Sequence, residues 1–298
     1  MANIAVLSLN PALDVTYKIQ KLVDDEKIHS FETRFDPGGN GINVGRAFKR
    51  LKTKATTCCV LAGKIGTLIA DILRNELDDP HFIWEEGETR INCVIQQSDP
   101  VSQYEINGMG PAMSASVLDK LEKELYAYSK DGFAVLTGSP PLNITHDIYS
   151  ILCMRLKNAG IKCLVDADGA LLNSAVKSKP YIIKPNIHEL ERLVKRNLDS
   201  VNDIAAAAKE LHNYGIEYVF ISIGHKGDIS LKRRRYVRCV SGSSRGVESR
   251  SRRFYGCRYF ERYRKRRQRR RFPKTWNSLR YGNGADAGDR AVYNGSCR

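Results

Sequence analysis

DPGGNGINVGRAFKRL, residues 36–51, places three glycines ahead of an amphipathic helical pattern. Glycine permits positive φ angles and lets a ligand approach backbone N–H groups, and the start of a helix favours anions. Apolar, strand-like runs lie on both sides of this stretch, NIAVLSL at 3–9 and ATTCCVL at 55–61. A strand, a glycine turn, a helix and a second strand in this order indicate an α/β fold with a candidate anion site at the turn.

The same alternation continues along the chain. Short, nearly continuous apolar runs, typical of strands buried on both faces of a parallel sheet, occur at 133–138, 162–168, 181–185 and 217–224. Helical patterns occupy 114–129, 146–160 and 202–215, and the last of them ends on Gly215, a residue that suits a helix C-cap. The sequence therefore predicts a mostly parallel sheet flanked by helices.

Two segments depart from this rhythm. KIHSFETRF (27–35) and TRINCVIQQ (89–97), the latter followed by SQYEIN, alternate polar and apolar residues with a period of two. Such alternation is typical of half-exposed antiparallel strands. We expect a small antiparallel accessory sheet, with strands at about 27–35 and 89–108.

The chain has 298 residues and a net charge of +15, and the positive charge is concentrated at one end. Residues 232–298 hold 22 Lys and Arg against 4 Asp and Glu, whereas the first 231 residues hold 26 against 29. We expect a globular domain at 1–231 and a disordered basic tail at 232–298. No apolar run reaches the ~18 residues of a membrane span and the N-terminus lacks a signal-peptide pattern, so we expect a cytoplasmic protein without a membrane partner.

Several polar residues follow predicted strands or lie on the accessory strands. Asp14 follows the first strand, where α/β sheets place ligands, although a turn or N-cap aspartate is an equal alternative. Lys27 and Arg90 could reach a phosphate, and Asn186 and Glu189 have the N-x-x-E spacing that aims two oxygen ligands at a Mg²⁺–phosphate group. Each of these signals is weak alone. Their convergence at strand ends favours a binding site.

Seven motifs in this order and spacing resemble the PfkB branch of the ribokinase-like sugar kinases, and more closely its phosphofructokinase and tagatose-phosphate kinase group. They are NPALD, DPGGNGINVGRAFKRL, ETRIN, INGMGP, TGSPP, DADGALL and IKPNIHEL. The resemblance covers about residues 1–231. It implies a ribokinase-like fold with a β lid that also forms a homodimer interface, and transfer of the γ-phosphoryl group from ATP to a sugar phosphate with Mg²⁺ as cofactor.

The resemblance also implies which residues bind ligands. Positions that match the family's sugar-phosphate contacts are Asp14, Lys27, Gly39, Asn43, Arg90 and Ser139. Positions that match the nucleotide side are Lys184, Asn186, Ser222, Gly224 and Gly227, with Glu189 as the metal ligand. Two departures leave loop geometry open: TGSPP (137–141) is shorter than the family's GSLPPG, and AGKIG (62–66) replaces a double-glycine turn.

One motif that the resemblance implies is absent from the sequence. This is a G-A-G-D turn at a helix start, whose amides neutralise the transferred phosphoryl group and whose aspartate takes the acceptor's proton. SRSRRFYGCR, residues 249–258, stands at the expected place. With the permitted codons AGT CGG AGC CGG CGA TTC TAT GGT TGC CGG, the frame that starts at the second base encodes V-G-A-G-D-S-M-V-A.

We therefore interpret the tail as the product of a reading-frame slip near residues 228–247. No catalytic base is then present in frame, and the aspartate codon would lie across those of Arg253 and Phe254. The slip also accounts for 19 arginines in the last 67 residues against 8 in the first 231. The alternative is a genuine basic extension that binds RNA or DNA through phosphate contacts, and an intact frame with other codons in the gene would favour it.

The motifs leave the sugar phosphate open among three candidates. Residues 27–47 resemble the minor type of 6-phosphofructokinase, whereas ETRIN, EINGMGP and IKPNIHEL are closer to 1-phosphofructokinase. Asn40, where 1-phosphofructokinases and tagatose-6-phosphate kinases carry lysine, favours fructose 6-phosphate. We expect an ATP-dependent phosphotransferase that makes fructose 1,6-bisphosphate from fructose 6-phosphate. The alternatives are a 1-phosphofructokinase, a tagatose-6-phosphate kinase, and an inactive relative that still binds these ligands.

Overall fold

The computed structural model describes residues 3–223, 228–232 and 235–239. The strands are β1 (Ile4–Ser8), β2 (Ala12–Ile19), β3 (Glu32–Gly38), β4 (Thr56–Ala62), β5 (Asp79–Glu85), β6 (Arg90–Ser98), β7 (Val101–Ile106), β8 (Phe133–Thr137), β9 (Lys162–Asp166), β10 (Ile182–Ile183), β11 (Tyr218–Ser222), β12 (Asp228–Lys232) and β13 (Arg235–Cys239). The helices are α1 (Asn40–Arg50), α2 (Gly63–Glu76), α3 (Ala115–Ser129), α4 (Ile148–Asn158), α5 (Gly169–Lys177), α6 (Ile187–Val194) and α7 (Val201–Tyr214).

The main sheet has the strand order β13-β12-β11-β10-β9-β8-β1-β4-β5. The seven strands from β11 to β5 are parallel, whereas β12 and β13 pair antiparallel at one edge. The parallel strands are buried on both faces, and all five residues of β1 are buried. These continuous apolar runs are the signal from which the parallel sheet was predicted, and that prediction is confirmed.

The helices form a layer on each face of the main sheet. Helices α3 to α7 pack on one face, in a large apolar cluster with alternate residues of the parallel strands. Helices α1 and α2 pack on the other face, in two smaller clusters. The described helices on this second face lie mainly over β1, β4, β5 and β8.

Helix α1 approaches the end of β1 very closely at the glycine stretch. A side chain at Gly41 would collide with the carbonyl oxygen of Leu7, and a Cβ at Gly45 would lie 2.5 Å from Thr57 Oγ1. Gly39 precedes the helix with a φ of 114°, a value that favours glycine. Gly41 therefore lets the start of α1 pack against the carboxyl end of β1, and Gly45 lets the helix pack against β4.

The second sheet, which we call the lid sheet, has four strands in the order β3-β2-β6-β7. The expected strands within 89–108 are present as β6 and β7. The expected strand at 27–35 begins only at Glu32, because residues 20–31 form a loop. The sheet is mixed rather than antiparallel, because β2 and β6 run parallel. Strand β2 was not predicted, although ALDVTYKI alternates with a period of two.

The main sheet continues past the predicted domain boundary at residue 231. Strand β13 reaches Cys239 and pairs with β12 along its whole length, so backbone pairing holds a strand inside an arginine-rich stretch. The predictions for the rest of the tail, including Arg253 and Phe254, lie outside the described residues, as do Gly224 and Gly227. In the part of the chain that the structure describes, no helix is long and apolar enough to cross a membrane.

Candidate active site

The carboxyl ends of five neighbouring parallel strands meet at one edge of the main sheet. In spatial order the strands are β11, β10, β9, β8 and β1. The residues at or just after these strand ends are Ser222, Lys184, Asp166, Ser139 and Asn10. Because adjacent strands lie about 4.8 Å apart, this edge spans roughly 20 Å from β11 to β1. The lid sheet begins at the β1 end of the edge, where β2 follows β1 after three residues.

Asp14 lies inside strand β2 of the lid sheet, which corrects the prediction that it directly follows the first strand. Its Oδ1 accepts a hydrogen bond of 2.7 Å from Nδ2 of Asn92 on the neighbouring strand β6. On the other side, any side chain at Gly38 in β3 would collide with the Asp14 carboxylate. Burial raises the pKa of Asp14, and the hydrogen bond from Asn92 and the charge of Arg90 partly offset that rise.

Arg90 begins strand β6 beside Asp14. Its Nε and Nη2 atoms donate to the carbonyl oxygen of Asn10 at 3.2 and 3.0 Å. Burial lowers the pKa of the guanidinium and the charge of Asp14 opposes that change. An arginine in a protein stays charged, so a fixed cation and a carboxylate lie side by side where the lid sheet joins the main sheet. This pair can hold a phosphate and sugar hydroxyl groups.

The turn after β8 carries Ser139, which is exposed. The Tyr149 hydroxyl donates to the carbonyl oxygen of Gly138 at 2.9 Å, and Gly138 has a φ of 87°. Just beyond the turn, the side-chain amide of Asn143 bonds the Met113 carbonyl oxygen at 2.8 Å and the Met113 N–H at 3.0 Å. The shortened turn is therefore tied to α4 and to the segment that leaves the lid sheet.

Gly39 and Asn43 lie at the start of α1, on the same side of the sheet edge. The Asn43 N–H bonds the Gly39 carbonyl oxygen at 3.1 Å, and Asn43 Oδ1 accepts a hydrogen bond of 3.2 Å from Arg46. Within the described part of the chain, no side chain caps the start of this helix, so its first N–H groups can donate to oxygen atoms of a ligand.

Lys27 is separate from these groups. It is exposed in the loop between β2 and β3, so the prediction that it lies on a strand is wrong. The structure describes no contact between Lys27 and Asp14 or Arg90. Its role as a phosphate ligand stays a prediction.

The opposite end of the edge brings Lys184, Asn186 and Ser222 together. Lys184 Nζ lies 3.0 Å from Asp166 Oδ1, and both side chains are largely buried. Asn186 and Ser222 form an isolated parallel bridge, and the Ser222 N–H donates to the Pro185 carbonyl oxygen at 3.1 Å. The predicted nucleotide-side residues within the described chain are therefore neighbours at the ends of β10 and β11.

Asn186 and Glu189 form a capping box at the start of α6. The Asn186 N–H donates to Glu189 Oε2 at 2.7 Å, and the Glu189 N–H donates to Asn186 Oδ1 at 2.9 Å. Burial raises the pKa of Glu189, and the negative charges of Asp166 and Asp168 add to the rise, whereas the Asn186 hydrogen bond and the charge of Lys184 oppose it. The N-x-x-E pattern thus has a structural role as a cap.

The nucleotide end also fits a divalent cation. Among the described residues, no group of three or more His, Cys, Asp or Glu side chains is arranged to hold a metal ion by itself. Mg²⁺ needs only one or two carboxylates when phosphates and water supply its remaining ligands. Glu189 is held near other carboxylates that raise its pKa, and a cation at that place would offset their repulsion.

Three residues of the site had no role assigned from the sequence. These are Asn10, Asn92 and Asp166, which bond Arg90, Asp14 and Lys184 respectively. Each lies within a motif that was recognised: NPALD, ETRIN or DADGALL. For Asn92 there was a positional signal, because residues two apart in a strand share one face and Arg90 was already assigned.

The parallel sheet, the lid sheet and the edge of candidate binding residues between them are those of the ribokinase-like fold. The family model for "pfkB family carbohydrate kinase" matches residues 3–241. The chain belongs to this family of carbohydrate kinases.

The chain aligns with several curated relatives over most of its own length and most of theirs. The chain is similar to a 1-phosphofructokinase of Bacillus subtilis (strain 168), with 30% identity over 225 residues, which are 75% of this chain and 73% of the relative. It is 28% identical over 242 residues to the ATP-dependent 6-phosphofructokinase isozyme 2 of Escherichia coli (strain K12), covering 80% of this chain and 78% of the relative. The crystal structure of phosphofructokinase-2 from Escherichia coli in complex with fructose-6-phosphate superposes with a TM-score of 0.78 and 27% identity, over 83% and 82% of the two chains.

Proposed function

We propose that this site is built to transfer the γ-phosphoryl group of ATP, with Mg²⁺, to fructose 6-phosphate, giving fructose 1,6-bisphosphate in the cytoplasm. The observation that carries the proposal is the placement of two complementary groups on one edge of the sheet. Asp14 and Arg90 lie at the lid junction beside β1, and Lys184 and Glu189 follow β10, three strand spacings from β1. That distance of roughly 14 Å suits a sugar phosphate and a nucleotide bound with their phosphates adjacent.

At the lid junction, we assign the acceptor sugar. Arg90 would hold the phosphate already on the sugar. Asp14 would accept hydrogen bonds from the sugar hydroxyl groups, and the side-chain amide of Asn43 would donate to them. Ser139 and the first N–H groups of α1 would complete the pocket. Lys27 would add a second cation if its loop approached the site.

At the nucleotide end, we assign Mg·ATP. Lys184, Asn186 and Ser222 would hold phosphate oxygens and Glu189 would hold Mg²⁺ directly or through water. When bound, the ion would offset the charge that builds up on the transferred group. Gly224 and Gly227 lie outside the described residues, and their role as nucleotide contacts stays a prediction.

We also propose that the chain as written lacks the base for this reaction. The aspartate of the expected G-A-G-D turn would be encoded across Arg253 and Phe254 in another frame. The family match to residue 241 supports a slip late in the predicted interval, between 241 and 247. The polypeptide would then bind its ligands but lose the proton acceptor and the amides at the turn.

The choice of acceptor is the first expected result. A frame-repaired protein should phosphorylate fructose 6-phosphate with a higher kcat/KM than fructose 1-phosphate or tagatose 6-phosphate, because Asn40 leaves the start of α1 without an added cation. Steady-state assays with the three acceptors at fixed Mg·ATP check this. A preference for fructose 1-phosphate would indicate 1-phosphofructokinase activity instead, the activity of the Bacillus subtilis relative. Absence of turnover with all three acceptors would overturn the proposed function.

We further propose a homodimer formed through the lid sheet. The strand registers align Phe35, Val15, Cys93 and Ile106 in one row across the sheet, on a single face. Phe35 and Ile106, at the two ends of this row, are 55% and 60% exposed, whereas Val15 is buried against α1 and α2. Large apolar side chains exposed on the outer strands of a sheet mark an interaction surface, and a second lid sheet of the same chain would cover them.

A negative charge introduced into this row by substitution is expected to dissociate the dimer. Phe35→Glu should give a monomer in sedimentation velocity at a concentration where the unchanged chain is a dimer, because the carboxylate would be desolvated in the interface. Leu142→Glu is the matched control, since Leu142 is 84% exposed and lies outside the lid sheet. A monomeric unchanged chain, or a Phe35→Glu variant that stays dimeric, would contradict this interface.

A further inference from the structure

Asn92 connects three parts of the lid sheet through one side-chain amide. It lies on β6 directly opposite Asp14 on the parallel strand β2. Its Nδ2 donates to Asp14 Oδ1 at 2.7 Å, and its Oδ1 accepts from the Gly108 N–H at 3.1 Å. Gly108 follows strand β7, on the segment that leaves the lid sheet. The amide is therefore satisfied on both sides, and its orientation follows from this network.

The Gly108 contact fixes which end of the amide faces Asp14. Because a backbone N–H can only donate, the oxygen of Asn92 has to face Gly108 and the nitrogen has to face the carboxylate. Gly108 itself packs so closely that any side chain there would collide with the Ile91 carbonyl oxygen. The donor to Asp14 is thus held in place by backbone on the far side.

Asp14 needs such a donor because its surroundings disfavour a negative charge. Burial is the main influence that raises its pKa, and the carboxylates of Asp36 and Glu105 add to it. Among the described residues that face Asp14, only Asn92 and Arg90 act in the opposite sense and lower its pKa. Asp36 is in turn paired with Arg34, at 2.5 Å. Of the two favourable groups, Asn92 is the neutral one, whereas Arg90 is assigned to the substrate phosphate.

We propose that Asn92 is a positioning residue that holds the Asp14 carboxylate ionised and aimed at the sugar hydroxyl groups. The inference rests on the proposed sugar-phosphate site and deepens it. A charged hydrogen-bond acceptor binds hydroxyl groups more strongly than a neutral carboxyl group does. Asn92 would therefore set the pH range over which the site binds its sugar without touching the sugar itself.

The test uses the full 298-residue chain and needs no turnover. Thermal stabilisation by fructose 6-phosphate, measured against sugar concentration from pH 5 to pH 8, gives the affinity at each pH. The variants are Asn92→Ala, which removes both bonds, and Asn92→Asp, which keeps an acceptor for Gly108 but removes the donor to Asp14. Gln96→Ala is the control, because Gln96 lies on the same strand and face and its amide bonds Gln103.

The sign of the expected change follows from the hydrogen bond. Binding requires ionised Asp14, so affinity is complete above the pKa of Asp14 and is lost as the pH falls through it. Without the donor the pKa of Asp14 rises further. The pH at which half of the affinity for fructose 6-phosphate is lost should therefore move up by about one pH unit, so that below this pH the variant binds about tenfold more weakly than the unchanged chain. Asn92→Asp should move it at least as far, because a second carboxylate then faces Asp14. Ionisation of the sugar phosphate itself is common to all the proteins and cancels in the comparison.

The possible outcomes separate this inference from the proposed function. An upward shift in both Asn92 variants, with Gln96→Ala unchanged, supports the positioning role. Equal midpoints in all four proteins, or an equal loss of affinity at every pH, overturn it and leave the sugar-phosphate site standing. If no hexose monophosphate stabilises the unchanged chain at any pH, the proposed function is overturned and this inference with it.

Discussion

Restoring the reading frame after residue 241 is expected to raise turnover of fructose 6-phosphate by at least ~10²–10⁴-fold, the usual contribution of a general base. The chain as written should show no rate near the ~1–100 s⁻¹ of ordinary kinases. The reason is chemical: Asp14, Arg90, Lys184 and Glu189 can bind and orient the two substrates, but none of them is assigned to remove the proton of the acceptor hydroxyl. A coupled assay for ADP release, on both proteins at saturating Mg·ATP, checks the difference.

A single substitution separates the base from the rest of the restored segment. In the repaired protein, asparagine in place of the aspartate of the restored G-A-G-D turn should return the rate close to that of the chain as written. The same variant should keep its thermal stabilisation by fructose 6-phosphate and Mg·ATP, because the binding residues of the described chain are unchanged. Full activity of this variant, or ordinary turnover by the unrepaired chain, would contradict the assignment of the missing base. So would a gene whose other frame does not encode the turn.

Repair of the reading frame is also expected to raise the free energy of unfolding, because the restored segment would cover apolar side chains of the main sheet. The described helices on the α1 face of the main sheet lie mainly over β1, β4, β5 and β8, while Leu164, Ile182 and Phe220 point to the same face from β9, β10 and β11. With permitted codons, RYFERYRKR (258–266) can be read in the alternative frame as G-I-L-N-V-I-G-K, an apolar run, in contrast to the arginine-rich run of the chain as written. An apolar segment is the better cover for these side chains.

The parallel sheet could be predicted because its strands carry an unambiguous signal. Strands buried on both faces are apolar at nearly every position, as in β1 and β4. The C-cap of α7 was equally clear, since Gly215 adopts a φ of 118° there. Buried strands and helix caps of this kind are determined by a few neighbouring residues, so they can be predicted from the sequence alone.

Other elements were missed where two signals competed. Helix α2 has apolar residues with helical spacing, but the glycines of AGKIG at 62–66 suggested only a turn. The structure supplies the missing helix start from elsewhere, because the Glu88 carboxylate accepts hydrogen bonds from the N–H groups of Lys64 and Ile65. A cap from a residue far along the chain has no local signature. Strand β13 was missed for a related reason, since pairing with β12 overrides its poor composition.

The candidate site was predicted as a set of residues but not as a network. The sequence indicated Asp14 and Arg90 by resemblance, yet it could not show that Asn92 and Asn10 hold them. Those bonds depend on the register of β2 against β6, which brings Asp14 opposite Asn92. Register is set by the pairing of whole strands, and β2 itself had not been recognised.

Replacing Arg90 is expected to lower kcat/KM for fructose 6-phosphate by roughly 10²-fold in the repaired protein, mainly through a higher KM. Two donors of its guanidinium, Nε and Nη2, bond the Asn10 carbonyl oxygen. That contact fixes the plane of the group, and Nη1 makes no hydrogen bond to a residue in the described ranges. A planar donor held from one side presents the other side to a phosphate with little loss of conformational freedom. Arg90→Ala removes both the positive charge and the planar set of N–H donors.

Two further variants and a second acceptor distinguish phosphate binding from general damage to the lid. Arg90→Lys should fall between the unchanged enzyme and Arg90→Ala, because it keeps the charge but cannot bond Asn10 and the phosphate as a rigid fork. Lys18→Ala is the matched control, a cation of the same sheet that pairs with Glu32 and should change kcat/KM by no more than about 3-fold, as expected of a partly exposed ion pair.

Free fructose at high concentration serves as the second acceptor, because it lacks the phosphate that Arg90 is assigned to hold. If Arg90 binds that phosphate, the unchanged enzyme and Arg90→Ala should use fructose with similar, low kcat/KM, since the lost interaction was never made. If the substitution instead distorts the lid, both acceptors should lose activity in the same proportion. A loss that is equal for fructose and fructose 6-phosphate would therefore reject Arg90 as the phosphate ligand, and it would also remove the argument that this edge of the sheet selects a phosphorylated sugar.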